Sequence, residues 1–178
     1  MIKNMVREIK RKINVFKLMQ LLETLSCADN IVVIMRAIPG AGKSTLSKKI
    51  CDKFNGIIHS TDNYFINDKG EYKFDSLYIH EYHKRNYDAF CNSLTDNIKC
   101  VIVDNTNLRY KWYKDYVKTA IKNKYIVIEV LINPTSYSAE ECKNRSVHNV
   151  PLETVKVMRD NLLNNMDKFP ECHYQVVI

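Results

Sequence analysis

The stretch Arg36-Ala37-Ile38-Pro39-Gly40-Ala41-Gly42-Lys43-Ser44-Thr45 follows an unbroken apolar run, Ile31-Val32-Val33-Ile34-Met35. It leads into a segment in which Leu46, Ile50 and Phe54 recur every four residues. A short run that is apolar throughout reads as a buried strand, and the four-residue beat reads as one face of a helix. Strand, small-residue turn ending in Gly-Lys-Ser, and helix form the context that a phosphate-binding P-loop requires. Backbone N–H groups of such a turn, and the positive end of the helix behind it, point at phosphate oxygens. The pattern predicts that Pro39, Gly40, Ala41, Gly42, Lys43, Ser44 and Thr45 cradle a nucleotide. Lys43 would reach its β- and γ-phosphates, and the Ser44 hydroxyl would ligate Mg²⁺. Ala37 stands where the motif has its first glycine. Gly40 and Gly42 remain at the positions of closest backbone approach, and an alanine tolerates an ordinary turn entry.

A chain of 178 residues fits one domain with a sizeable core. Hydrophobic residues at 46% and charged residues at 26% are ordinary globular values, which argues against extensive disorder. No run approaches the length of a membrane-spanning helix, so no membrane partner is expected. The six cysteines are scattered without a Cys-x-x-Cys pair, and no secretory signal pattern is legible. They read as free thiols in a reducing, intracellular compartment, cytoplasmic or nuclear. A net charge of +7 leans towards a polyanionic partner without saying which.

Residues 1–29 read as a basic N-terminal helical extension, with Lys3, Arg7, Lys10, Arg11, Lys12 and Lys17 against few acids. Ile9, Ile13, Phe16, Met19 and Leu22 keep a helical beat. A docked helix, a nucleic-acid-binding arm and a mitochondrial presequence all compete here, the last weakened by Glu8 and by few serines. Residues 30–178 read as one domain. Gly56-Ile57-Ile58-His59 is a second strand, ending in Ser60-Thr61-Asp62-Asn63. Asn67-Asp68-Lys69-Gly70 marks a turn, and Asp75-Ser76 caps a helix running to about Leu94. Cys100-Val101-Ile102-Val103 is a third strand, ending in Asp104-Asn105-Thr106-Asn107, with a helix from about Tyr110 to Lys122. Tyr125–Ile132 and Tyr174–Ile178 are further strands, with helical patterns on either side of Val150-Pro151. Alternating strands and helices predict an α/β fold, a mostly parallel sheet sandwiched by helices. Ligands on such sheets bind beyond the carboxyl ends of the strands, where the P-loop, the Asp62 loop and the Asp104 loop converge.

Phosphoryl transfer needs an aligned acceptor, charge neutralisation and an oriented nucleophile. Asp62 is placed to take the proton of an acceptor hydroxyl, although a turn aspartate would look the same. Asp104, after an apolar strand, has the position of a carboxylate holding Mg²⁺ or its water shell. Arg145 lies in a polar helical stretch near 136–151, where kinases of this architecture place a lid. Its spacing alone is that of a surface arginine. His80 and His83 invite a metal reading that no neighbouring ligand cluster completes, and solvated or acceptor-facing histidines fit better. Trp112 is most simply core.

Four blocks in order are Gly40-x-Gly42-Lys43-Ser44-Thr45, His59-Ser60-Thr61-Asp62-Asn63-Tyr64-Phe65, Val103-Asp104-Asn105-Thr106-Asn107 and Arg145-Ser146-Val147-His148-Asn149-Val150-Pro151. Together they resemble the P-loop kinase domain of the polynucleotide 5′-hydroxyl kinase family, related to zeta-toxin-like P-loop kinases, over roughly residues 30–165. The resemblance implies ATP and Mg²⁺, a general base at Asp62, a lid arginine at Arg145, and an acceptor-contacting loop at Asn105 and Asn107. Asn105 and Asn107 could equally cap the following helix. The family usually has a second acid where Asn63 stands, and the phage enzyme has a phosphate-contacting arginine where Phe65 stands. Tyr64 and Phe65 could stack on a base or belong to the core, and Arg85, with Lys84 and Arg109, could form a basic channel. The expected activity is γ-phosphate transfer to the 5′-hydroxyl of a polynucleotide. A small-metabolite kinase and a non-catalytic ATP-binding module stand as alternatives. Partner proteins have no legible signal.

Overall fold

The computed structural model describes residues 8–166, 172 and 174–178, with side chains described from Lys12 onward. Lys3 and Arg7 of the basic N-terminal segment lie outside the described residues. Six parallel strands form one sheet in the order β1-β6-β5-β2-β4-β3. They are β1 (Glu8–Lys12), β2 (Ile31–Arg36), β3 (Ile57–His59), β4 (Cys100–Val103), β5 (Ile126–Leu131) and β6 (Tyr174–Val177). The helices are α1 (Val15–Ala28), α2 (Lys43–Phe54), α3 (Ile79–Thr95), α4 (Lys114–Lys122), α5 (Ala139–Arg145) and α6 (Leu152–Leu163). Among the described residues no helix is long and apolar enough to cross a membrane.

The N-terminal segment departs from the expected continuous helix. Glu8–Lys12 is an edge strand on β6, and the helix starts only at Val15. The reason is local. Asn14 has an extended backbone, and its side chain accepts the N–H of Lys17 at 2.9 Å, which fixes the first turn after it. Leu18, Met19 and Leu22 are then buried, whereas Phe16 is 68% exposed. Trp112, expected in the core, is 50% exposed, because Tyr113 takes the buried position beside it.

β2 is the central strand and is buried along its whole length. Val33 and Met35 face one core with α1, α2 and the α5–α6 pair, while Val32 and Ile34 face α3 and α4. Arg36 continues that second face, fully buried at the carboxyl end of the strand. It pairs with Glu129 of β5 at 2.8 Å, and Glu129 also accepts hydrogen bonds from Tyr113 and Gln175, each at 2.8 Å. The remaining guanidinium N–H groups donate to the carbonyls of Asn107, Leu108 and Asn165. A charge this deep survives because its donors and its countercharge are satisfied together. Glu129→Ala strands the guanidinium and is expected to cost about 3–5 kcal/mol, whereas replacing both partners by apolar residues costs far less. Urea unfolding of the single and double variants checks this, and equal losses would contradict it.

Candidate active site

The carboxyl ends of β2, β3 and β4 carry the three loops that sequence placed together. Backbone bonds stitch them: Asp104 N donates to His59 O at 2.9 Å, and Ala37 N donates to Thr106 O at 3.1 Å. The Asn105 side chain accepts the N–H of Thr61 at 3.0 Å. Beyond the strands lies a cavity of about 690 Å³, lined by the P-loop, the Asp62 loop and the lid.

Gly40 and Gly42 have φ of +74° and +92°, in the left-handed region that side chains rarely adopt. Gly40 is also crowded, because a Cβ there would stand 1.8 Å from the carbonyl oxygen of Cys142 in α5. Helix α5, the segment expected to form a lid, therefore rests directly on the P-loop. A capping box at Ser138 and Glu141 starts that helix, and buried Cys142 and Ala139 anchor it. Arg145, at its end, has its guanidinium over the Tyr137 ring at 4.2 Å. One of its nitrogens lies 3.8 Å from where a Gly42 Cβ would be.

Lys43 is 8% exposed and pairs with Asp104 at 2.6 Å. Ser44 and Thr45 are exposed into the cavity at the start of the twelve-residue helix α2. Ala41 differs from its neighbours in the loop. Its side chain is buried in the core and its N–H donates to Ile38 O, so it shapes the turn from beneath. The chemistry of the pieces fits a nucleotide and Mg²⁺. Helix N-terminal N–H groups suit phosphate, and the hydroxyl and carboxylate oxygens of Ser44 and Asp104 are the donor type that suits a hard cation keeping several waters. Among the described residues no group of three or more His, Cys, Asp or Glu is gathered as a metal-binding cluster.

Asp62 lines the same cavity. Tyr72 donates its hydroxyl to one carboxylate oxygen at 3.5 Å, and the His148 imidazole of the lid lies 3.6 Å from the other. The Tyr72 and His148 rings are themselves 4.0 Å apart. Burial, the Asp62 charge and that hydrogen bond push the Tyr72 phenol up to about 12, so it stays a proton donor throughout the neutral range. Sequence reasoning passed over Tyr72 and gave His148 no role. Their sole signal was membership of the turn after Asp62 and of the block after Arg145.

Residues 32–163 match the AAA domain family. The chain belongs to that family. Human NEDD4-binding protein 2 is 35% identical over 136 residues, which is 74% of this chain and 8% of that protein. The AAA domain thus spans a small fraction of that relative's length. In fold it is similar to a chain in the structure of the Pnkp1/Rnl/Hen1 RNA repair complex, at TM-score 0.65 and 16% identity over 81% of this chain and 47% of that one. It is likewise similar to a gluconokinase from Sinorhizobium meliloti, at TM-score 0.54 and 11% identity over 84% and 82%. These are likenesses of fold, and the fold is that of P-loop kinases.

Within this AAA domain not every expected contact residue reaches the cavity. Asn107 is buried, has φ +49°, and donates its amide to Met35 O at 2.8 Å, so it braces the β4 loop against β2. Tyr64 and Arg85 stack on each other outside the cavity, 4.9 Å from cation to ring centroid. Lys84 pairs with Asp88, Arg109 is held by Asn161 of α6, and none of the three cations lines this cavity. Phe65 is buried, 4% exposed, as the core reading had it. His83 reaches the rim and shares a 3.0 Å hydrogen bond with the Thr61 hydroxyl. The six cysteines are free thiols.

His59, at the root of the Asp62 loop, is 7% exposed and hydrogen-bonded to Ser93, and burial lowers its pKa from 6.5 to about 4. The unfolded chain protonates this residue first, so the stability it contributes above pH 6.5 is lost as pH falls towards 4. Urea midpoints are expected to fall more steeply over that window in the native protein than in His59→Gln. Gly40→Ala is expected to destabilise by more than the ~1–2 kcal/mol of left-handed backbone strain, because Cys142 cannot yield without moving α5. Gly70→Ala, with φ +77° and nothing within 4 Å, supplies the backbone cost alone. Equal thermal shifts in the two variants would separate the lid from the P-loop.

Proposed function

We propose that this domain transfers the γ-phosphate of ATP to an alcohol acceptor, most specifically the 5′-hydroxyl end of a polynucleotide. The observation that carries the reading is Asp62, a carboxylate that lines the same cavity as the P-loop and is engaged by Tyr72 and by His148. A module that merely bound nucleotide would need no carboxylate there.

The chain's own groups divide the work. The backbone of Gly40 and Gly42 and the N-terminus of α2 hold the phosphates. Lys43, released from Asp104, neutralises the β- and γ-phosphate charge. Asp62 accepts the acceptor hydroxyl proton as its oxygen bonds to the γ-phosphorus and the bond to the bridging oxygen of ADP breaks. Tyr72 donates to the carboxylate oxygen away from that proton and holds its orientation. Arg145, already over Gly42, covers the charge on the transferring group. Ser44 and Asp104 are the groups that would hold Mg²⁺, which when bound adds positive charge to the phosphates.

Support for a polynucleotide acceptor comes from the four blocks shared with 5′-hydroxyl kinases and from the fold likeness to a chain of an RNA repair complex. The gluconokinase likeness keeps a small alcohol as the second reading. Labelled γ-phosphate transfer is measured to 5′-hydroxyl oligonucleotides and to small alcohols. Asp62→Asn is expected to lower transfer by ~10²–10⁴-fold while ATP still raises the melting temperature. Transfer to small alcohols alone would replace the polymer reading. No transfer at all, with ATP bound, would leave a binding module.

A further inference from the structure

The aromatic residues beside the cavity form a chain of ring contacts that starts at Asp62 and ends at the surface. Tyr72, bonded to Asp62, lies 6.0 Å from Phe65. Phe65 is the hub, 5.0 Å from Phe74 and 4.8 Å from Tyr82. Tyr82 continues to Tyr78, stacked at 5.7 Å with an 18° interplanar angle, and to Tyr64 at 5.8 Å. Arg85 covers the faces of both Tyr64 and Tyr82. Tyr78, Tyr82 and Arg85 are spaced four and three residues apart, which sets them on one side of α3. The buried hub makes the ridge rigid. Its outer members stay in water: Phe74 is 59% exposed, Tyr78 48% and the neighbouring Leu77 85%.

We propose that the exposed rings of this ridge, Phe74 and Tyr78, with Arg85 and Tyr82 behind them, are the track for the single-stranded part of the acceptor, its unpaired bases stacking outward from the 5′ end held at Asp62. The proposal rests on the phosphotransfer reading for its direction. Three observations favour this occupant. The ridge is continuous with the cavity through Phe74, which lines it, and so leads away from the acceptor side rather than from the P-loop. Beyond Phe74 the ridge, with Tyr78, Tyr82 and Arg85, lies outside the cavity, where a small metabolite has no use for it. Its cation lies on ring faces and has no ion-pair partner among the described residues, leaving its edges for phosphate; rings with a face-on arginine form the stacking platform of single-strand binders. A duplex, whose bases already stack on one another, could not use the ring faces.

The test uses the full chain and a fluorescein-labelled 5′-hydroxyl single strand of about 12 nucleotides, within the ~4–16 that stacking sites cover. Binding is read by anisotropy, and phosphorylation of the same strand and of a nucleoside 3′-monophosphate is read separately. Tyr78→Ala is expected to weaken strand binding by about tenfold and to raise the strand's KM in proportion. Tyr78→Phe is expected to retain native affinity, and the KM for the nucleoside 3′-monophosphate is expected to stay unchanged in both variants. Undiminished strand affinity in Tyr78→Ala would overturn the proposal, as would equal competition by a blunt duplex. So would self-association of the native chain that Tyr78→Ala and Leu77→Ala abolish in the absence of strand binding, because the ridge would then be a protein interface. Because anisotropy needs no turnover, the two readings fail separately. Tyr78-dependent binding without phosphate transfer would sink the kinase reading alone, and transfer insensitive to Tyr78 would sink the track alone.

Discussion

The buried pair of Arg36 and Glu129 is the constraint on which the site depends. Arg36 ends the central strand one residue before the turn that becomes the P-loop. Its guanidinium reaches the carbonyls of Asn107 and Leu108, beyond the Asp104 loop, and of Asn165, beyond α6. One side chain thereby fixes the exit of β2, the loop after β4 and the end of α6. The cost of burying its charge is offset by Glu129, which Tyr113 and Gln175 hold in turn. An apolar residue at position 36 would satisfy the core equally well and leave those three segments unconnected.

On this frame the cavity has two walls of different character. The P-loop wall is tight: two left-handed glycines, with the carbonyl of Cys142 so close to Gly40 that no side chain fits between them. The Asp62 wall is made of aromatic and polar side chains, with Tyr72 and His148 on the carboxylate. The lid belongs to both, since α5 lies on the P-loop and His148, a few residues on, faces Asp62. One short segment thus touches both the P-loop and Asp62, through Cys142 and His148. The ion pair of Lys43 and Asp104 keeps each of these buried charges matched.

Much of the fold was legible because its signals are local. Apolar runs read as strands became β2, β4 and β5, and the Asp75 cap started the helical segment that follows it. The N-terminal segment misled, because Ile9 and Ile13 fit a helical beat as well as a strand. The choice was made by Asn14 and by an edge of β6 more than 160 residues away. Asn107 misled for the same reason. As a polar residue after an apolar strand it resembles a ligand contact, yet its amide is consumed by the carbonyl of Met35.

The sequence by itself determined the α/β order, the P-loop and the three strand ends at which polar residues gather, because backbone periodicity, glycine and capping chemistry act over a few residues. Tertiary structure alone decided which polar residues face the cavity. Tyr72 and His148 meet Asp62, while Tyr64 and Arg85 turn outward onto each other and Asn107 turns inward. Those outcomes depend on crossovers that bring α3, the lid and the β4 loop to one end of the sheet. Side-chain direction there is set by packing against distant partners, which no local pattern encodes.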